Sequence, residues 1–173
     1  MDKLFEKSIK NEKGKIHGLN VSLVGDLKYG RTVHSLSYGL ALMGANITFV
    51  APPNLQIPPE VIHGLEAMGT TPILVDSIEQ GICDADVLYV TRIQKERFAD
   101  LAEYNKVAGS YRVDLPLLEK GPDDIVVMHP LPRLTEIAPE VDSTRHALYF
   151  KQAANGVPIR MAILDLVLGG KGL

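Results

Sequence analysis

The chain has 173 residues, 46% of them hydrophobic and 23% charged, with a formal net charge of −3. That length supports one well-formed core and is short for two, and its 18 Lys and Arg form no basic stripe, which argues against a nucleic-acid partner. No apolar run approaches membrane length and Met1-Asp2-Lys3-Leu4-Phe5-Glu6 is unlike a signal peptide, so a cytoplasmic protein without a membrane partner is expected.

From the N-terminus, Leu4, Phe5 and Ile9 lie on one side of a helix over 2–11 that stops at the polar run Asn11-Glu12-Lys13-Gly14-Lys15. Leu19 to Gly25 reads as the first strand. Val33, Leu36, Leu40 and Met43 recur at helical spacing over 31–43, with Gly44 as the stop. Asn46 to Ala51 is a second buried strand. Pro52, Pro53, Pro58 and Pro59 make a stiff loop into a helix over 60–68 that Gly69 ends, and Pro72 to Val75 is a third strand. Ser77 with Gln80 has the form of a capping box for a short helix reaching Cys83. Cys83 is the single cysteine and lacks ligand-spaced neighbours, so a small buried apolar role is expected and a metal is not. Asp86 to Val90 and Ile125 to Met128 are the fourth and fifth strands, and a helix over 158–168 follows. Strands alternating with helices, most strands apolar throughout, imply an α/β, Rossmann-like three-layer domain: a parallel sheet covered by helices on both faces.

In such sheets ligands bind beyond the carboxyl ends of the strands. Asp26 to Arg31 follows the first strand, Thr91-Arg92-Ile93-Gln94-Lys95-Glu96-Arg97 the fourth, and His129-Pro130-Leu131-Pro132-Arg133 the fifth. The first of these turns leads into a helix N-terminus, a geometry that presents backbone N–H groups to an anion, with Lys28 and Tyr29 in the turn and Arg31 adding a forked donor. A plain strand-to-helix turn with solvated charges is the alternative. Arg92 and Gln94 are two apart on an extended segment and share a side, so with Arg31 they match a small dicarboxylate; each charge-assisted bond contributes roughly 1.5–3 kcal/mol. Here the alternative is a solvated helix start in which Arg92, Lys95, Glu96 and Arg97 pair among themselves, and Glu96 can also aim an arginine. Pro130 and Pro132 stiffen the third turn and leave carbonyls to meet an amino or amide N–H. His129 is either an acid or base, or a hydrogen-bonded structural residue.

These motifs, together with Tyr149-Phe150-Lys151-Gln152-Ala153 and Asn155-Gly156, resemble aspartate carbamoyltransferase in order and spacing over most of the chain. The resemblance implies its aspartate-binding half, in an enzyme that makes N-carbamoyl-L-aspartate and phosphate in de novo pyrimidine biosynthesis, without a cofactor. By that pattern Arg31, Arg92 and Gln94 bind L-aspartate, and the carbonyls of Leu131 and Pro132 meet the carbamoyl group and the attacking amine. Lys28, Tyr29, Glu96, Arg97 and His129 support them, and no residue is assigned as catalytic. The sister ornithine enzyme usually has a cysteine where Pro130 stands and lacks the arginine-rich turn, so aspartate is preferred. Residues 1–14 then look like a remnant of the interdomain helix, 15–155 like the aspartate-binding α/β domain, and 156–173 like a C-terminal helix that expects a missing carbamoyl phosphate-binding domain.

The family's carbamoyl phosphate half carries a Ser-x-Arg-Thr-Arg loop, a lysine loop and a His-Pro-x-Gln turn, which are absent here; Ser143-Thr144-Arg145-His146 resembles the first in letters only. Those groups supply the cations aimed at the developing charge, so the chain alone is expected to lack turnover, as either an excised domain or a naturally split subunit that needs a separate partner chain bearing the carbamoyl phosphate domain. Ile159, Ala162, Ile163, Leu166 and Val167 form one apolar stripe on the final helix, and Met161, Leu164 and Leu168 another. In the family that helix reaches the other domain; otherwise both stripes face this domain's own core. The family enzyme is a trimer of catalytic chains. A second functional reading is a non-catalytic amino-acid-binding or regulatory module derived from the same domain. A third, a dinucleotide-binding domain, is disfavoured because Gly25-Asp26-Leu27-Lys28-Tyr29-Gly30 is not Gly-x-Gly-x-x-Gly and no acidic residue closes the second strand.

Overall fold

The computed structural model describes residues 2–93, 100, 102, 104, 105 and 111–169. Five short apolar segments form the sheet: β1 (Asn20–Val24), β2 (Asn46–Val50), β3 (Ile73–Val75), β4 (Val87–Val90) and β5 (Val126–Met128). All neighbours are parallel, in the order β3-β2-β1-β4-β5. Val24 pairs with both Val50 and Val90, and Tyr89 with Met128, so the carboxyl ends of β1, β4 and β5 finish side by side.

Side chains alternate across the strands, and both sets are covered, as a doubly covered parallel sheet requires. Val21, Leu23, Ile47, Phe49, Val87, Tyr89, Val126 and Met128 form one core with residues of α1 (Asp2–Lys13), α2 (Arg31–Leu42) and α3 (Pro59–Ala67). Val24, Val50, Leu88, Val90 and Val127 form the other with α4 (Ile78–Ile82), α5 (Leu115–Leu118) and Tyr149 at the start of α6 (Tyr149–Val167). The three-layer α/β expectation is met. Phe5 and Ile9 are both 1% exposed, so the short α1 is held by packing against α2 and α6, and Phe5 meets the Tyr89 ring edge-on. Among the described residues no helix is long and apolar enough to cross a membrane.

Three expectations change. The last helix begins at Tyr149, not Pro158, which lies inside it. Tyr149, Gln152 and Gly156 are buried in its first turns, and that packing outweighs the poor helix propensity of Asn155, Gly156 and Pro158. Both apolar stripes beyond Gly156 stay outside the domain's own core: Met161, Ile163, Leu164, Leu166, Val167 and Leu168 are exposed. Cys83 is exposed rather than buried, because it follows buried Ile82 on the outward side of α4, where its thiol donates to Glu79 O. Ser77 precedes α4 but caps no backbone N–H; its hydroxyl donates to Glu79 Oε2 at 2.7 Å. A helix the sequence reading did not contain, α5, is capped by Asp114, whose Oδ1 accepts from Leu117 N–H.

Candidate functional site

The turns after β1, β4 and β5 meet at the carboxyl edge of the sheet around an open pocket of about 230 Å³. Its first wall is Asp26, Tyr29, Gly30 and Thr32. This wall is anchored on two sides: Leu27 and Lys28 N–H both donate to Leu55 O, and the His34 ring of α2 reaches back to Leu27 O at 2.7 Å. Buried Asp26 accepts the N–H of Tyr29, three residues on, at Oδ1 and so holds the turn.

Thr91 and Arg92 make the second wall. Val24 O accepts from both Thr91 N–H and Thr91 Oγ1, at 2.8 and 2.9 Å, which ties this turn to the end of β1. Gly25 makes the approach possible. Its φ is +117°, and a Cβ there would stand 2.3 Å from Thr91 O.

The third wall, His129 to Pro132, is held from behind. Gln152 of α6 grips the His129 peptide at both ends: its Nε2 donates to His129 O at 2.8 Å, and His129 N–H donates to its Oε1 at 3.2 Å. Leu131 N–H donates to His129 Nδ1 at 2.8 Å, and His129 Nε2 lies 2.9 Å from Glu136 Oε1. Leu131 has φ +53° and the Leu131–Pro132 bond is cis. Burial by itself would raise the Glu136 carboxyl, but hydrogen bonds from the His129 ring and from the N–H groups of Glu136 and Leu134 outweigh it and hold the group below the usual carboxylate range. Next to this wall Arg133 donates to Ile137 O, pairs with Asp142 and lies over the Tyr149 ring. Tyr149 also donates to Asp142; burial first, then that carboxylate, pushes its hydroxyl well above the ordinary tyrosine value.

The structure therefore brings Tyr29, Arg92, His129, Leu131 and Pro132 together. Arg31 is exposed at the first position of α2, between the lining residues Gly30 and Thr32. Lys28 is exposed, with its ammonium 5.3 Å from the Tyr29 ring centroid. Gln94, Lys95, Glu96 and Arg97 lie outside the described residues. His129 is 1% exposed, and both of its ring nitrogens are hydrogen-bonded. Sequence reasoning missed Asp26, Thr91, Glu136 and Gln152 as parts of the site. Asp26 carried a signal, an Asx residue three before Tyr29; Glu136 acts within its own turn, on His129 and Leu134, and Gln152 acts on His129 from 23 positions away. Chemically, the pocket offers a guanidinium, a buried carboxylate, a helix N-terminus and a proline-stiffened backbone, which suits a small polar ligand with both anionic and amino groups.

A parallel α/β sheet with its pocket at the carboxyl ends of the strands has the general layout of a ligand-binding domain. Residues 17–167 match the family model for the aspartate/ornithine carbamoyltransferase Asp/Orn binding domain. The aspartate carbamoyltransferase catalytic subunit of Methanocella arvoryzae is 56% identical over 151 residues, covering 87% of this chain and 49% of that protein. The catalytic subunit of M. jannaschii aspartate transcarbamoylase superposes with a TM-score of 0.90 at 45% identity, covering 98% of this chain and 56% of that one. The Trypanosoma cruzi enzyme in complex with aspartate and phosphate superposes at 0.80 with 36% identity, over 93% of this chain and 51% of that one. The chain belongs to the aspartate/ornithine carbamoyltransferase family and corresponds to its amino-acid-binding domain. It spans about half the length of the relatives it matches.

Proposed function

We propose that the chain is the aspartate-binding half of an aspartate carbamoyltransferase, a transferase of de novo pyrimidine biosynthesis that converts carbamoyl phosphate and L-aspartate to N-carbamoyl-L-aspartate and phosphate. The observation that carries this is the convergence of Arg92, the α2 N-terminus and the His129–Pro132 turn on one pocket. Arg31, Arg92 and Gln94 hold the two carboxylates. The carbonyls of Leu131 and Pro132 accept from the carbamoyl NH₂ and the attacking amine. The amine attacks the carbamoyl carbon, phosphate leaves, and the amine proton goes to solvent or phosphate. Negative charge builds on the carbonyl oxygen and the leaving phosphate, and the cations that answer it come from a carbamoyl phosphate-binding domain.

The bare apolar end of α6, where Met161, Leu164, Leu166, Val167 and Leu168 are exposed, is the surface such a domain would cover.

The test is turnover with carbamoyl phosphate and either L-aspartate or L-ornithine, for the chain alone and with a relative's carbamoyl phosphate domain added in trans. The expected result is no product alone and carbamoyl aspartate, not citrulline, on addition. Robust product from the chain alone would overturn its dependence on a partner. No recovery in trans would leave a non-catalytic amino-acid-binding module.

A further inference from the structure

We infer that Glu136 is a positioning residue: with one carboxylate oxygen on the His129 ring and the other on Leu134 N–H, it fixes the His129 tautomer and thereby the course of the Leu131–Pro132 backbone along the pocket wall. The consequence for ligand binding rests on the function proposed above; the tautomer does not.

The argument follows from which atoms can donate. Leu131 N–H can only donate, and it points at His129 Nδ1 over 2.8 Å, so Nδ1 carries no proton. The ring proton is then on Nε2, 2.9 Å from Glu136 Oε1. Because the imidazole is rigid, the two bonds are one device. Turning the ring over to free Nε2 from the carboxylate also removes the acceptor from Leu131. Glu136 Oε2 accepts from Leu134 N–H at 3.1 Å, so one carboxylate ties down both ends of the segment from 129 to 134. Both side chains are almost closed to water, at 1% for His129 and 9% for Glu136. Gln152 completes the mounting by holding the His129 peptide, which leaves the ring as the part that Glu136 must set.

Neither Glu136 nor Gln152 touches the pocket, whose third wall ends at Pro132. Their effect on a ligand is through the backbone they aim. A residue that merely adds stability would leave the tautomer and the local exchange pattern unchanged when it is replaced conservatively.

The test is ¹⁵N NMR of the histidine rings with amide hydrogen exchange, on the chain and on the Glu136→Gln and Glu136→Ala variants. In the unaltered chain, His129 is expected to show an unprotonated Nδ1 and a protonated Nε2; a proton on Nδ1 overturns the inference without any variant. In Glu136→Gln the amide oxygen still accepts from Nε2–H, but the NH₂ cannot accept from Leu134 N–H. That variant is expected to keep the tautomer and Leu131 protection while Leu134 exchanges about tenfold faster. In Glu136→Ala the tautomers mix and Leu131 also exchanges about tenfold faster or more. Unchanged tautomer and exchange in Glu136→Ala would overturn the positioning role. L-aspartate titrated in the same spectra is expected to bind about tenfold more weakly to Glu136→Ala and near normally to Glu136→Gln; equal affinity in all three would also overturn it. Absence of aspartate binding by the unaltered chain counts against the proposed function, and the tautomer and exchange data still decide this inference.

Discussion

The two ends of α6 share one backbone and live in different surroundings. Its first two turns carry Tyr149, Gln152 and Gly156, all buried, and connect to the pocket through Asp142, Arg133 and the His129 peptide. Beyond Gly156 the helix shows Val157, Met161, Ile163, Leu164, Leu166, Val167 and Leu168 to solvent, the last at 82% exposure. One end is packed into this domain and the other is left in solvent. Helical pattern in a sequence reports that a face expects cover, and it does not report whose.

The difference can be broken at the buried end first. Tyr149→Ala removes a fully buried ring together with its bond to Asp142 and its stacking under Arg133, and is expected to cost about 3–5 kcal/mol in urea unfolding. A smaller effect sharpens the link to the pocket. The folded-state carboxyl of Glu136 is lowered, so its contribution to stability is present above the unfolded value of about 4.3 and is lost as pH falls through the lower folded value. Urea midpoints measured across that acid window should therefore fall less steeply for Glu136→Gln than for the unaltered chain. The smallest effect belongs to the bare end. Leu166→Ser with Val167→Ser should change the chain's own stability by no more than about 0.5 kcal/mol per site, while weakening association with an added carbamoyl phosphate domain in a pull-down or titration.

Much of the architecture was legible because it rests on local rules. The five apolar segments, and Gly44 and Gly69 with φ of +74° and +81° just past α2 and α3, declare strands and stops with no knowledge of the partners they meet. What failed depended on distant contacts. The N-terminal start of α6 is set by burial of Tyr149 and Gln152, against a local sequence, Asn155 to Pro158, that reads as a break. Cys83 is a residue type that is usually buried, placed on the outward side of a five-residue helix. The pocket divides the same way. Arg92 and the His129–Pro132 turn were visible from their places after strands, whereas Thr91, Glu136 and Gln152 act by hydrogen bonds across 67, 7 and 23 positions.

The place of β4 beside β1 ties ligand binding to folding. The pocket draws its walls from segments near 26–32, 91–92 and 129–132, and the first two touch only after a chain excursion across β2, β3 and α4 has been completed. A partly folded chain that has paired β1 with β2 and β3 alone owns one wall and has no binding site. Ligand capture therefore requires the β1–β4 pairing to be in place and acts as a readout of a finished sheet. A ligand that requires all three walls pulls the whole domain toward its native state, by about 2.7 kcal/mol at a concentration one hundred times its dissociation constant.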